Sequence, residues 1–139
     1  MKKRVVIDTN LIFSALLAEA SAIREILLDD SVRFYAPNFI IVEIFKHQRK
    51  LLKLTKLNEI EFFTYLNRII ENVNFVPLSF ISIESREKAY HLCLGVDLKD
   101  IPFVALSLEL NAPLYTGDNK LKNGLLAKGF AKFYTRNNS

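Results

Sequence analysis

The stretch Val5-Val6-Ile7-Asp8-Thr9-Asn10 decides the fold. Three consecutive β-branched residues, with no polar residue alternating between them, predict a strand that is buried on both faces, as in a parallel sheet. Asp8 stands where this strand ends and where a helix, predicted over 11–18, begins. Because α/β proteins bind ligands at the carboxyl ends of parallel strands, Asp8 is either a helix cap or part of a site.

The composition is that of a globular protein in a reducing compartment. The chain has 139 residues, of which 50% are hydrophobic, enough for one domain with a buried core. No apolar run reaches the roughly 18–20 residues of a membrane span, and Asp8 interrupts the segment that would be the apolar core of a signal peptide. The single cysteine, Cys93, excludes an internal disulfide. We therefore expect one domain over 1–139, cytoplasmic and without membrane contact.

Segments typical of strands and helices alternate along the chain. Strands are predicted at 5–7, 32–35, 73–76, 113–116 and 131–134, and about seven helices fill the intervals. This alternation predicts a parallel sheet with right-handed crossovers and with helices on both faces. The fold class is therefore α/β, a three-layer α/β/α sandwich with five strands.

Five acidic residues stand out on this map. Asp8 follows the first strand, Asp118 follows the fourth, and Asp97 and Asp100 open a helix predicted over 99–110. Glu43 lies among apolar residues, and no lysine or arginine between 38 and 45 offers it a local partner. Parallel strands bring the residues that follow them to one edge, where converging carboxylates repel each other unless divalent cations neutralise them. Hard oxygen ligands of this kind favour Mg²⁺ or Mn²⁺.

Each of these acids also has an ordinary structural interpretation. Aspartate is a preferred N-cap, so each of the four aspartates suits the first amides of a helix, and capping is compatible with a role in a site. Glu43 lies beyond the start of its helix, and the structural alternative for it is an exposed position. Both interpretations remain open from these residues alone.

The basic residues leave two interpretations open, and the histidines and glycines disfavour a zinc site and a nucleotide-binding loop. The run Lys46-His47-Gln48-Arg49-Lys50, with Lys53 and Lys56 following, is either a solvated helix face or a patch for an RNA backbone. The two histidines, His47 and His91, lie in different predicted helices and have no nearby cysteine, which disfavours a zinc site. None of the four glycines stands in a nucleotide-binding pattern.

The acidic segments together resemble the four acidic motifs of the PIN-domain nucleases. They are Asp8-Thr9-Asn10 after an apolar strand, Glu43 on a helix, Asp100 followed by Phe103-Val104-Ala105-Leu106, and Thr116-Gly117-Asp118. The resemblance covers essentially the whole chain, from Val5 to about Phe133, and it rests on the order and spacing of the motifs. It implies a five-stranded parallel sheet in the order 3-2-1-4-5, with the switch point between the first and fourth strands.

The resemblance also implies a chemistry, the metal-assisted hydrolysis of RNA phosphodiester bonds. Asp8, Glu43, Asp100 and Asp118 would be the catalytic residues and would hold one or two Mg²⁺ or Mn²⁺ ions. No side-chain nucleophile is needed, because the ions activate water and stabilise the charge that develops on the phosphate.

The third motif departs from the commonest form of the family. Asp97-Leu98-Lys99-Asp100-Ile101-Pro102 holds two acids three apart, so Asp97 is an accessory metal ligand, a helix cap or an outer group. Thr9, Asn10 and Thr116 are candidates for substrate contact, and equally for ordinary turn and cap chemistry.

Small single-domain members of this family often serve as the toxin of a VapBC-type toxin–antitoxin pair. The resemblance therefore implies an RNA substrate, an antitoxin partner, and a homodimer formed through exposed apolar positions between Ile41 and Phe63. The alternative is a non-catalytic PIN-like module that binds RNA or a protein, but the presence of all four motif acids favours the enzyme. A phosphoryl receiver with an acidic pocket is a weaker interpretation, because it gives Glu43 no role.

Overall fold

Strands and helices alternate along the chain, as the sequence predicts. The structure, a computed structural model, describes residues 2–135. None of the helices in that range has both the length and the apolar character needed to cross a membrane. In chain order the elements are β1 (Lys3–Ile7), α1 (Thr9–Ser14), α2 (Ala22–Leu27), β2 (Val32–Pro37), α3 (Phe39–Leu54), α4 (Glu59–Asn72), β3 (Val73–Val76), α5 (Ile83–Cys93), α6 (Ile101–Leu110), β4 (Leu114–Tyr115) and α7 (Asn119–Ala127).

The strands form one parallel sheet in the order β3-β2-β1-β4. The predicted buried strand is its centre: Val5, Val6 and Ile7 of β1 are 0% exposed. Val6 pairs with β2 on one side and with β4 on the other. Chain order therefore reverses between β1 and β4, and Asp8 leaves the sheet at that point. The prediction of an α/β fold with a parallel sheet is confirmed.

The predicted fifth strand is wrong within the described residues. In place of a strand over 131–134, Phe133 makes a single parallel bridge to Leu114. The backbone of Leu114 donates to the carbonyl of Lys132 and accepts from the amide of Tyr134, both at 2.9 Å. Because β4 has only two residues, it offers the chain after α7 almost no edge to pair with. The sheet thus has the order 3-2-1-4, and one bridge stands at the predicted fifth position.

The first helix is also shorter than predicted, and a buried arginine binds the segment that follows it. Arg24 of α2 is 7% exposed. Its guanidinium donates to the backbone oxygens of Ala15, Ala18 and Glu19. These carbonyls lie beyond Ser14, the last residue of α1, and a side chain satisfies them in place of further helical turns.

Helices α1 and α3 lie side by side and leave the carboxyl edge of the sheet in the same direction. Near the end of α1 and the middle of α3, the rings of Phe13 and His47 meet edge to face at 5.5 Å between centroids. Beyond these rings, the amide of Lys56 donates to the carbonyl of Leu17 at 2.7 Å, and the hydroxyl of Thr55 donates to the carbonyl of Leu16. These contacts fix α3 relative to the end of β1.

Candidate active site

A cavity of about 330 Å³ opens at the carboxyl edge of the sheet. Two larger cavities, of about 660 and 460 Å³, lie elsewhere and contain at most one acid, so size alone does not identify the site. The smaller cavity is distinguished by its charge. It is lined by all five acids that the sequence singles out, Asp8, Glu43, Asp97, Asp100 and Asp118.

Asp8 is both a helix cap and a wall of this cavity. Its Oδ1 accepts a hydrogen bond from the amide of Asn10 at 3.0 Å, which caps α1. Its Oδ2 accepts from the hydroxyl of Thr116 at 2.8 Å. The residue is 6% exposed, so its carboxylate is held in one orientation by two bonds at the end of the central strand. The capping interpretation of Asp8 is confirmed, and its position in the cavity is compatible with a role in a site, which stays a prediction.

Thr116 connects the two acids that follow β1 and β4. Its hydroxyl donates to Asp8 and accepts from the amide of Asp118 at 3.1 Å. The residue is 1% exposed and is not among the residues that line the cavity, and its hydroxyl orients Asp8. Substrate contact by Thr116 stays a prediction. Thr9 and Asn10, the other two candidates for substrate contact, do line the cavity.

Asp118 caps the helix that follows it. Its Oδ1 accepts from the amide of Leu121 at 3.0 Å, at the start of α7. No residue in the range 2–135 donates a hydrogen bond to its second oxygen. The side chain is exposed at the rim, which leaves that oxygen available to a ligand.

Asp97 and Asp100 have different local roles. Asp97 caps a 3-10 turn, Leu98–Asp100, and its Oδ1 accepts from the amide of Lys99 at 2.9 Å. Asp100 is the N-cap residue of α6 by position, but its side chain makes no capping hydrogen bond. The predicted helix over 99–110 thus begins as a 3-10 turn, and only Asp100 is left without a structural task for its carboxylate.

Asp100 is electrostatically coupled to the other aspartates. Burial raises its pKa from the usual 3.8 to about 6, with further contributions from the negative charges of Asp8, Asp97 and Asp118. A carboxylate feels such repulsion only from charges that are near and poorly screened. The four aspartates therefore act as one charged cluster.

Glu43 has a partner that the sequence analysis missed. Nε2 of His47 lies 3.3 Å from Oε2 of Glu43, one turn away on α3. The side chain of Glu43 is 39% exposed, so it is neither buried among the apolar residues around it nor fully exposed to solvent. His47 also lines the cavity, although its basic run suggested only a solvated face or an RNA patch. The spacing of four residues between Glu43 and His47 was the available signal.

The family of PIN domains matches the chain over residues 6–136. The chain belongs to the PIN-domain family. No protein with a curated function matches it. The match includes all five acids of the cavity, so the resemblance of the acidic motifs is confirmed at the level of the family.

The acids of this PIN domain have the right chemistry for a hard divalent cation, but they are not drawn together around one point. Within residues 2–135, no three carboxylate, imidazole or thiol groups are placed closely enough to hold a metal ion. Hydrogen bonds hold the carboxylates of Asp8 and Asp118 to the first amides of α1 and α7. Carboxylate oxygens suit a hard divalent cation, and these carboxylates would have to rearrange to hold one.

A first prediction concerns the stability of the metal-free PIN domain. The pKa of Asp100 is higher in the folded state, so protonation of Asp100 stabilises the fold. This stabilisation is complete below about pH 4 and is lost as pH rises through about 6. We expect the melting temperature to fall across that window, and Asp100→Asn to flatten this fall. At pH 8, Mg²⁺ at ten times its Kd should contribute about 1.4 kcal/mol to the stability.

Differential scanning fluorimetry at pH 5 and pH 8, with and without Mg²⁺ or Mn²⁺, measures both effects. A stabilisation of this size corresponds to a rise of about 4 °C in Tm for a domain of this length. A Tm at pH 8 that does not respond to millimolar Mg²⁺ or Mn²⁺ would contradict a cation site at the acid cluster.

Proposed function

We propose that this PIN domain is an endoribonuclease that hydrolyses RNA phosphodiester bonds with Mg²⁺ or Mn²⁺. The observation that supports it is the gathering of five carboxylates in one cavity, where their mutual repulsion contributes to the raised pKa of Asp100. PIN domains are typically nucleases, and all four motif acids of this one face the same space. Clustered carboxylates are costly to maintain unless a cation neutralises them during function.

In this proposal the cation ligands are Asp8, Glu43, Asp100 and Asp118, and Asp97 assists from the rim. A bound divalent cation supplies the positive charge that activates water and stabilises the reacting phosphate. Asp8 is oriented for its role by the hydroxyl of Thr116.

The remaining residues of the cavity suit a phosphate group. Thr9 and Asn10, at the start of α1, line the cavity and position the substrate beside Asp8. Lys99 is the one lysine or arginine among the described lining residues, and its ammonium group offsets the charge of an incoming phosphate.

The test is the cleavage of labelled single-stranded and structured RNA with Mg²⁺ or Mn²⁺ and with excess chelator. We expect cleavage only with the cation. As a matched control, Asp30→Asn removes the same charge from an exposed residue outside the cavity, and it should leave the rate unchanged. Cleavage that persists in chelator would exclude the metal mechanism. No cleavage with either cation would favour a non-catalytic RNA- or protein-binding module.

We also propose that the domain is the toxin of a VapBC-type pair and acts in the cytoplasm. Its antitoxin would place an arginine or lysine among the acids, since the cavity is lined by five carboxylates. Expression of the chain should then arrest growth, and co-expression of a protein encoded by an adjacent gene should restore it. Growth that continues during expression of the active nuclease would contradict a toxin role.

A homodimer is the assembly that we propose for this domain. Phe45 on α3 and Ile60 on α4 are 58% and 81% exposed, although both are apolar. Burying them against a second copy would remove apolar surface from water. Analytical ultracentrifugation of the wild type and of Ile60→Glu tests this, and a wild-type monomer at micromolar concentration would contradict it.

A further inference from the structure

One face of α3 begins in the active-site cavity and continues outside it as a row of lysines. Positions 39, 43, 46, 50 and 53 have the alternating spacing of four and three that places side chains on one side of a helix. Phe39 and Glu43 line the cavity. Beyond them, Lys46, Lys50 and Lys53 are exposed, and we call these three the lysine row. By helix geometry they lie about 4.5, 10.5 and 15 Å along the axis from Glu43.

The charge of α3 differs from that of the other long helices. It contains four lysines or arginines and one acid, Glu43, whose carboxylate lies 3.3 Å from Nε2 of His47. By contrast, α4 and α5 mix both signs on their surfaces, as solvated helices usually do. No residue in the range 2–135 forms an ion pair with the lysine row. The surface therefore presents uncompensated positive charge beside a negative cavity.

The position of the lysine row relative to the cavity is fixed by packing. The ring of Phe13 contacts His47 at the middle of α3, and the carbonyl of Leu17 accepts the amide of Lys56 just beyond the C-terminal end of α3. Because α1 directly follows its N-cap Asp8, these contacts fix the half of α3 that carries Lys50 and Lys53 relative to the acid cluster. The row is a straight continuation of the site.

We propose that the lysine row binds the phosphate backbone of single-stranded RNA whose scissile bond lies in the cavity. The inference rests on the proposed ribonuclease function, because it starts from a reacting phosphate beside Glu43. Lysine ammonium groups about one or two helical turns apart contact successive phosphates of such a strand without reading its bases. The row thus contributes affinity and strand direction, and it leaves the choice of sequence to the cavity.

The experiment measures binding separately from cleavage. A fluorescein-labelled 20-nucleotide single-stranded RNA of mixed sequence is titrated with the full chain in chelator, by anisotropy, at several KCl concentrations. The test variant combines Lys46→Gln, Lys50→Gln and Lys53→Gln. The control variant combines Lys2→Gln, Arg33→Gln and Lys132→Gln, exposed residues near the opposite edge of the sheet. Both variants lose the same charge.

The test variant should bind about tenfold or more weakly at 50 mM salt, and its slope of log K against log salt should become shallower by about 2, or about 0.7 for each lost contact. The control variant should change the affinity by no more than about twofold. Replacing all three lysines of the row with arginine should preserve both affinity and slope. Circular dichroism establishes that each variant is folded.

Two results would overturn the proposal. Equal losses in both triple variants would mean that net charge alone governs binding. Undiminished RNA binding in the folded test variant would mean that the row serves another partner, such as an acidic protein. The proposed ribonuclease function is tested separately with a dinucleotide, which is too short to reach the row and should be cleaved equally by the wild type and the test variant. RNA binding that depends on the lysine row, without any cleavage, would refute the ribonuclease function. It would still support the lysine row as an RNA-binding surface.

Discussion

Asp8→Asn should lower metal-dependent RNA cleavage by at least about 100-fold, the scale of losses at metal sites, while the domain stays folded. Asparagine has the shape of aspartate, and its Oδ1 can still accept the amide of Asn10, so the cap of α1 remains. In the wild type, Oδ2 of Asp8 accepts from the hydroxyl of Thr116. In Asp8→Asn an NH2 group, a donor, replaces this oxygen, so the hydroxyl of Thr116 must turn to accept from it. That exchange costs about 1 kcal/mol, and the relief of repulsion within the cluster partly offsets it.

Three measurements check this result. Single-turnover cleavage rates give the loss of activity, with Asp30→Asn as the charge-matched control. Thermal unfolding gives the stability. The pKa of Asp100, followed by NMR, should fall in Asp8→Asn, because the charge of Asp8 helps to raise it. If the variant retains more than a tenth of the wild-type rate, Asp8 is not an essential ligand.

Asp100→Asn should reduce RNA cleavage and Asp97→Asn should not, although the two residues are only three positions apart. Asp100 makes no capping bond and is repelled by its neighbours, so its replacement should raise the stability of the metal-free protein at pH 8 and reduce cleavage about 100-fold. Asp97→Asn keeps the acceptor for the amide of Lys99 and should keep most of the activity.

Asp97→Ala completes this comparison. Loss of its cap should cost about 0.5–2 kcal/mol of stability, and the effect on cleavage should be smaller than that of Asp100→Asn. Tm values and cleavage rates of the three variants, measured side by side, decide the assignment. If Asp97→Asn abolishes cleavage and Asp100→Asn does not, the third metal ligand is Asp97.

Local chemistry explains why much of the site could be predicted from the sequence. An apolar β-branched strand followed by Asp8 must end at one edge of a parallel sheet, and Asp118 reaches the same edge after β4 for the same reason. Their capping of α1 and α7 also follows from the preference of aspartate for that position. Each of these features depends on a few adjacent residues, so each is visible in the sequence.

The features that were missed depend on contacts between distant parts of the chain. The depth of Thr116 follows from the approach of β4 to β1, more than 100 positions away in sequence. The failure of the fifth strand follows from the shortness of β4, which a stretch of apolar residues does not reveal. The non-helical segment after α1 is bound by the guanidinium of Arg24, which reaches back to the carbonyls of Ala15 and Ala18. The contact between Glu43 and His47 is local, because residues four apart on a helix are neighbours, and the sequence does contain this signal.

The dual task of the aspartates at strand ends constrains how descendants of this protein can drift. A lineage released from selection for catalysis would still need an acceptor for the first amides of α1 and α7. We expect substitutions at Asp8 and Asp118 in such a lineage to be confined to asparagine, serine and threonine, the other good N-caps. Position 100 has no amide to satisfy and would accept a wider set, apolar residues included. The order in which the acids disappear among inactive relatives would thus record which of them the fold still requires.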